Sequence, residues 1–105
     1  MTSELEFQNF VVLAVVQALI GAVRSEVVAI TVATSLERET LDLFLLATEI
    51  SEGLSESLDE VETDLDALLS GSVRVVSHLY VGSDWTDSGW VGRDKRPVFA
   101  RSTHE

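Results

Sequence analysis

SEGLSESLDEVETDLDALLS, residues 51–70, carries the clearest periodicity of the chain, and the fold is read outward from it. Leu54, Leu58, Val61, Leu65 and Leu68 follow one another at spacings of four, three, four and three, the apolar stripe of an amphipathic helix. Ser51 is the leading N-cap with Ser55 competing, and Gly71 suits the C-terminal stop. The remaining faces carry Glu52, Glu56, Asp59, Glu60, Glu62, Asp64 and Asp66, with no Lys or Arg among them. A helix built only for structure usually mixes signs to gain i,i+4 pairs, and this one accepts like-charge repulsion instead.

On the N-terminal side of that helix the pattern changes to strands. Residues 26–34, EVVAITVAT, are rich in β-branched side chains. Simple alternation puts Val28, Ile30 and Val32 on one face and Val27, Ala29, Thr31 and Ala33 on the other. After the polar stretch 35–39, residues 40–50 alternate Leu41, Leu43, Leu45 and Ala47 with Asp42, Phe44, Leu46 and Thr48, so the two segments read as a hairpin. Further out, residues 5–23, LEFQNFVVLAVVQALIGAV, are too long and too evenly apolar for one strand and predict a first helix. Apolar residues occupy nearly all its sides from Phe10 onward, so it needs cover on more than one face, from the fold or from a second chain.

On the C-terminal side, SVRVVSHLYV, residues 72–81, predicts a third strand, with Val73, Val75, Ser77, Leu79 and Val81 facing one way and Arg74, Val76, His78 and Tyr80 the other. Residues 82–96 read as a loop from their Gly, Ser and Asp content. A short last strand follows over 97–101, with Pro97 at its start. The order helix–strand–strand–helix–strand–strand predicts one α+β domain over residues 1–105, with a single antiparallel four-stranded sheet and both helices on one face. The second half can mirror the topology of the first, and the last strand has two places open to it, beside the third strand or at the opposite edge. Loop 82–96 and tail 102–105 are the segments expected to move.

Composition bounds the function. Seven Lys and Arg against 18 Asp and Glu leave a net charge of −11, and 46% hydrophobic residues argue against disorder. The acidity reads either as a solvating surface or as attraction for a partner of opposite sign. It makes phosphate-backbone binding, and hence a nucleic-acid partner, a poor fit. With no Cys, disulfides, thiolate zinc sites and cysteine nucleophiles are excluded. The N-terminus is acidic where a signal peptide is basic, and the apolar run 10–23 is shorter than a membrane span and interrupted by Gln17, so the expectation is a cytoplasmic protein without a membrane partner.

No catalytic or cofactor set emerges. His78 sits mid-strand and His104 in the tail, with no His pair at metal-ligand spacing. Neither G-x-S-x-G nor a phosphate-cradling glycine motif occurs, and Asp84, Asp87 and Asp94 lack the spacing of a calcium loop. The expectation is a protein that is not an enzyme and holds no cofactor or metal. Trp85 and Trp90 stand out because they lie in a polar, Gly-rich loop, flanked by Asp84 and Asp87. Either they fold back to cap the sheet, or they anchor a partner, as Trp often does in interfaces.

Together, QALIGAVRSEVVAITV (17–32), ATEISEGLSESLDEVETDLDAL (47–68), the strand VRVVSHLYV and the ending PVFARSTHE (97–105) suggest a family. The chain resembles the small immunity proteins of bacterial contact-dependent inhibition and other polymorphic toxin systems. Shared features are a hydrophobic helix ending in a glycine turn (LIGAVRSE, 19–26), a hairpin, an acidic helix and a terminal aromatic–x–Arg (FAR, 99–101). The resemblance implies a stoichiometric inhibitor of a cognate, basic, nuclease-type toxin domain. On that reading Glu52, Glu56, Asp59, Glu60, Asp64, Asp84 and Asp87 steer toward and pair with toxin cations, and Trp85 and Trp90 supply buried area.

Two other classes remain open. The apolar first helix can bury a face against its own copy, making a homodimer with a scaffold role. Alternatively His78, Tyr80 and Arg74 can line a small-ligand pocket between helix and sheet.

Overall fold

The computed structural model describes residues 3–20, 24–82 and 90–100. Helix α1 spans Glu4–Leu19, strand β1 Val27–Ser35, β2 Thr40–Ala47, helix α2 Glu52–Leu68, β3 Arg74–Val81 and β4 Arg96–Ala100, with a 3₁₀ turn at Val91–Asp94. The order of elements is the one read from sequence, and the domain class is α+β.

Each helix starts where side chains can satisfy its free N–H groups. At α1, Ser3 and Glu6 form a capping box, each side chain accepting from the other's backbone N–H at 3.1 and 3.0 Å. At α2, Ser51 is the cap and Ser55 is not: the Ser51 hydroxyl accepts from the Leu54 N–H at 3.0 Å. The end of α2 differs from expectation. Ser70, not Gly71, takes the first left-handed position (φ 56°), with the Ser70 N–H bonded to Ala67 O and the Gly71 N–H to Asp66 O. That pair of bonds is a Schellman closure with a serine where glycine is usual.

The sheet runs β3-β2-β1-β4. β1 pairs antiparallel with β2 and β4, but β2 and β3 run parallel, so the sheet is mixed and the antiparallel expectation is corrected. The reason lies in the crossover. Helix α2, about 25 Å long at about 1.5 Å per residue, travels back the full length of an eight-residue strand. It therefore returns the chain to the end where β2 began, and the next strand runs parallel. The halves also do not mirror each other: β1 and β2 are neighbours, whereas β3 and β4 occupy opposite edges.

Both helices cover one face of the sheet. Phe7, Val11, Ala14, Val15 and Ala18 of α1 and Leu54, Leu58, Val61 and Leu65 of α2 share one core with Ile30, Val32, Leu41, Leu43, Leu45 and Ala47. A second, smaller cluster of Val28, Ala29, Phe44, Leu46 and Trp90 lies on the helix-free face. In β1 the expected alternation fails at its start. Val27, not Val28, faces the helices, because the register shifts between Val27 and Ala29 and inserts one residue against β2.

Candidate partner-binding surface

The acidic candidates on α2 share its solvent side. Glu52, Glu56, Asp59, Glu60 and Asp64 are all exposed, while Leu54, Leu58, Val61 and Leu65 hold the helix down. Among the described residues no Lys or Arg forms an ion pair with any of these five carboxylates; Arg24 pairs with Glu26, and the His78 ring lies against Asp42. Two further acids belong to the same surface, although they were not among the sequence candidates. Asp66 is exposed, and Glu62 accepts a hydrogen bond from the Ser77 hydroxyl on β3. The i, i+3, i+7 spacing of Asp59, Glu62 and Asp66 was the signal for them: one row down the helix flank next to β3.

The loop candidates fare differently. Asp84, Trp85 and Asp87 lie outside the described residues. Trp90 is 3% exposed and caps the helix-free face, the first of the two roles open to it, rather than presenting its ring as an anchor. The cause is the apolar patch of Val28, Ala29, Phe44 and Leu46, which no helix covers. The 3₁₀ turn after Trp90 is held by Thr31, whose buried hydroxyl donates to the Gly92 carbonyl at 2.7 Å. At Gly92 the backbone passes so close to the sheet that a Cβ would lie 2.6 Å from Phe44 Cβ and 2.7 Å from Thr31 Oγ1. The Trp90 indole Nε1 is buried without a hydrogen-bond partner among the described residues.

The small-ligand pocket between helix and sheet is corrected. Arg74, His78 and Tyr80 lie on the helix-free face, and the interior between helices and sheet is apolar, with a void of about 10 Å³. His78 stacks on Phe44 with ring centroids 4.7 Å apart, and its Nε2 lies 3.0 Å from Asp42 Oδ1. Among the described residues no group of three or more acids and histidines is placed to hold a metal ion, and no helix is long and apolar enough to cross a membrane.

Glu26 joins the hairpin to the acidic helix. Its carboxylate accepts from the Ser51 hydroxyl at 2.5 Å, and Ser51 in turn caps α2. That hydrogen bond, followed by Glu26's own backbone N–H and the nearby Arg24, outweighs desolvation and holds the Glu26 carboxyl below its ordinary pKa.

Outside α2 the chain leaves a second kind of surface. Leu5, Phe10, Leu13, Val16 and Ile20 form an exposed apolar side of α1, with Leu13 at 69% and Ile20 at 76% exposure. Neither surface brings a nucleophile, a base and an electrophilic donor together, and both are suited to contact with another macromolecule.

The family model of the MafI2 immunity proteins matches residues 8–101, from the first half of α1 to just past β4. The chain belongs to the MafI2 immunity protein family. This is the kind of protein the sequence resembles, a small immunity protein of polymorphic toxin systems, and membership brings with it a toxin-neutralising role. No curated protein matches the chain. The exposed side of α2 in this MafI2 immunity protein carries Glu52, Glu56, Asp59, Glu60, Asp64 and Asp66 and no Lys or Arg.

Proposed function

We propose that this chain neutralises a basic, nuclease-type toxin domain by covering its cationic surface with the outer side of α2. The carrying observation is a 17-residue helix whose charged residues are all acidic, with Glu52, Glu56, Asp59, Glu60 and Asp64 exposed and unpaired by any described cation. Such a surface raises the encounter rate with a basic partner and competes with phosphate for the same cations. On the same reading Asp84, Trp85 and Asp87 add contacts to the toxin. Trp90, buried on the face of the sheet opposite α2, holds the 3₁₀ turn against the sheet. On this reading the protein acts in the cytoplasm as a binder rather than an enzyme, with no cofactor, membrane or nucleic-acid partner of its own.

The test is the double reversal Glu56→Lys with Glu60→Lys, which leaves the buried stripe intact. Stopped-flow association with the cognate toxin domain at low salt should slow by about tenfold or more. An association rate unchanged by the reversal rejects α2 as the steering surface.

A second reading, self-association through α1, is favoured by the exposed Phe10, Leu13, Val16 and Ile20. Light scattering should then give a dimer mass that Leu13→Glu converts to monomer. A monomer in the unmodified protein at high concentration removes this reading.

A further inference from the structure

The two edges of the sheet are protected very differently. β4 is five residues long, begins Arg96-Pro97, and meets β1 with a register shift between Ile30 and Thr31. Shortness, a charge, a proline and a bulge are the usual devices that keep an edge from pairing with other chains. β3 at the other edge has eight residues, no proline, and an unbroken register of eight partners with β2.

The hydrogen bonds say which of its backbone groups point away from β2. The Arg74 N–H donates to Glu39 O at 2.9 Å and the Gly82 N–H to Ala47 O at 2.8 Å, so the even-numbered residues bond toward β2. Alternate residues of a strand bond to opposite sides. Val75, Ser77, Leu79 and Val81 therefore turn their N–H and C=O groups outward, where no described strand meets them.

Charge beside this edge selects the occupant. The flank of α2 next to β3 carries Asp59, Glu62 and Asp66, and Glu62 is bonded to Ser77 in the middle of the strand. A groove of about 450 Å³ at the start of β3 is lined by Glu39, Glu62 and Asp66 together with Arg74, three acids against one cation. A second copy joined edge to edge would set two such acidic flanks against each other, each on a chain of charge −11. On the opposite side the strand offers half-buried Val76, His78 and Tyr80. An added strand meets acids on one side and an apolar, aromatic surface on the other.

We infer that the outer edge of β3 receives an extended segment of the toxin domain as a fifth strand, one that alternates Lys or Arg toward α2 with apolar residues toward Val76 and Tyr80. This rests on the immunity reading and specifies how the contact is made: backbone pairing supplies affinity and the acid row selects the partner. The test is residue-resolved amide hydrogen exchange on the full chain, free and in complex with a catalytically inactive cognate toxin domain. In the complex the Val75, Ser77, Leu79 and Val81 amides should slow by about tenfold or more, while those of Val76, His78 and Tyr80 are slow in both states. Val81→Pro removes one outward donor at a 62% exposed side chain and should weaken toxin binding about tenfold with the melting temperature little changed. A complex in which the four odd-numbered amides exchange as before, or a Val81→Pro variant that binds undiminished, overturns the edge proposal and leaves the immunity reading standing. Failure to form any complex overturns both. Protection of the same amides that rises with the chain's own concentration, without toxin, puts a second copy on the edge and overturns the cationic occupant.

Discussion

Helices α1 and α2 lie over the same face of one sheet and share one core, yet they show solvent opposite chemistry. The inner side of each is apolar and buried. The outer side of α1 carries Leu5, Phe10, Leu13, Val16 and Ile20, and that of α2 carries a one-signed set of carboxylates. Folding needs only the inner stripes. Exposed apolar side chains add little to stability, and acids at i,i+4 such as Glu52–Glu56 and Glu56–Glu60 reduce it by a few tenths of a kcal/mol per pair, about the reverse of an ion pair. The outer surfaces are therefore the part of each helix free to answer to partners. On the immunity reading proposed above, recognition is sought on these outer surfaces.

The contrast breaks most decisively on a buried leucine. Leu65→Ala, at a fully buried position of α2, should cost about 2–5 kcal/mol by urea denaturation, whereas Leu13→Ala on the outer side of α1 should stay within about 0.5 kcal/mol. Equal losses would mean that the α1 side is not an outer surface at all. The helix-free face supplies the next largest effect. Gly92→Ala forces a methyl group against Phe44 Cβ and Thr31 Oγ1, and should cost about 1–3 kcal/mol, with Trp90 fluorescence shifting toward that of an exposed indole.

A smaller gain is expected at the end of α2. Ser70 holds a left-handed conformation that glycine adopts freely, so Ser70→Gly should stabilise the fold by about 1 kcal/mol in the same urea titration. No change there would show that the Schellman turn carries no strain. The smallest effect is pH-dependent. Glu26's folded pKa is depressed by the Ser51 hydrogen bond, so its contribution is present above its ordinary value of 4.5 and lost as pH falls through the lower folded value. Glu26→Gln should thus melt lower than the unmodified protein at neutral pH, and the two melting curves should converge on acidification. A gap that stays constant across the acid range would remove the Glu26–Ser51 link as its cause.

Much of this fold was legible in the residues themselves. Helix α2, its Ser51 cap and its stripe from Leu54 to Leu65 follow from spacing, and so does the division of β2 into a helix-facing leucine row and an outer row; the expected last member of the stripe, Leu68, is 38% exposed, and Leu69 at the C-cap is buried in its place. The acids of α2 were legible for the same reason: helical phase places them opposite Leu54, Leu58, Val61 and Leu65. The facing of β1 was not, because an inserted residue reverses alternation and leaves no local mark in a run of valines and alanines. The parallel pairing of β3 was legible in principle, from the length of the crossover between two strands, and the antiparallel expectation overlooked it.

Periodicity, caps and net charge are short-range properties, in which each residue's preference is set by neighbours a few positions away. They were enough to specify the elements, the buried stripes and an acidic helix surface. Strand order, the bulge in β1, the burial of Trp90 and the edge position of β3 depend on contacts between distant segments, such as Thr31 with Gly92 and Ser77 with Glu62. Those contacts are won by competition among many apolar and polar surfaces for the same cover, and only the assembled chain resolves that competition.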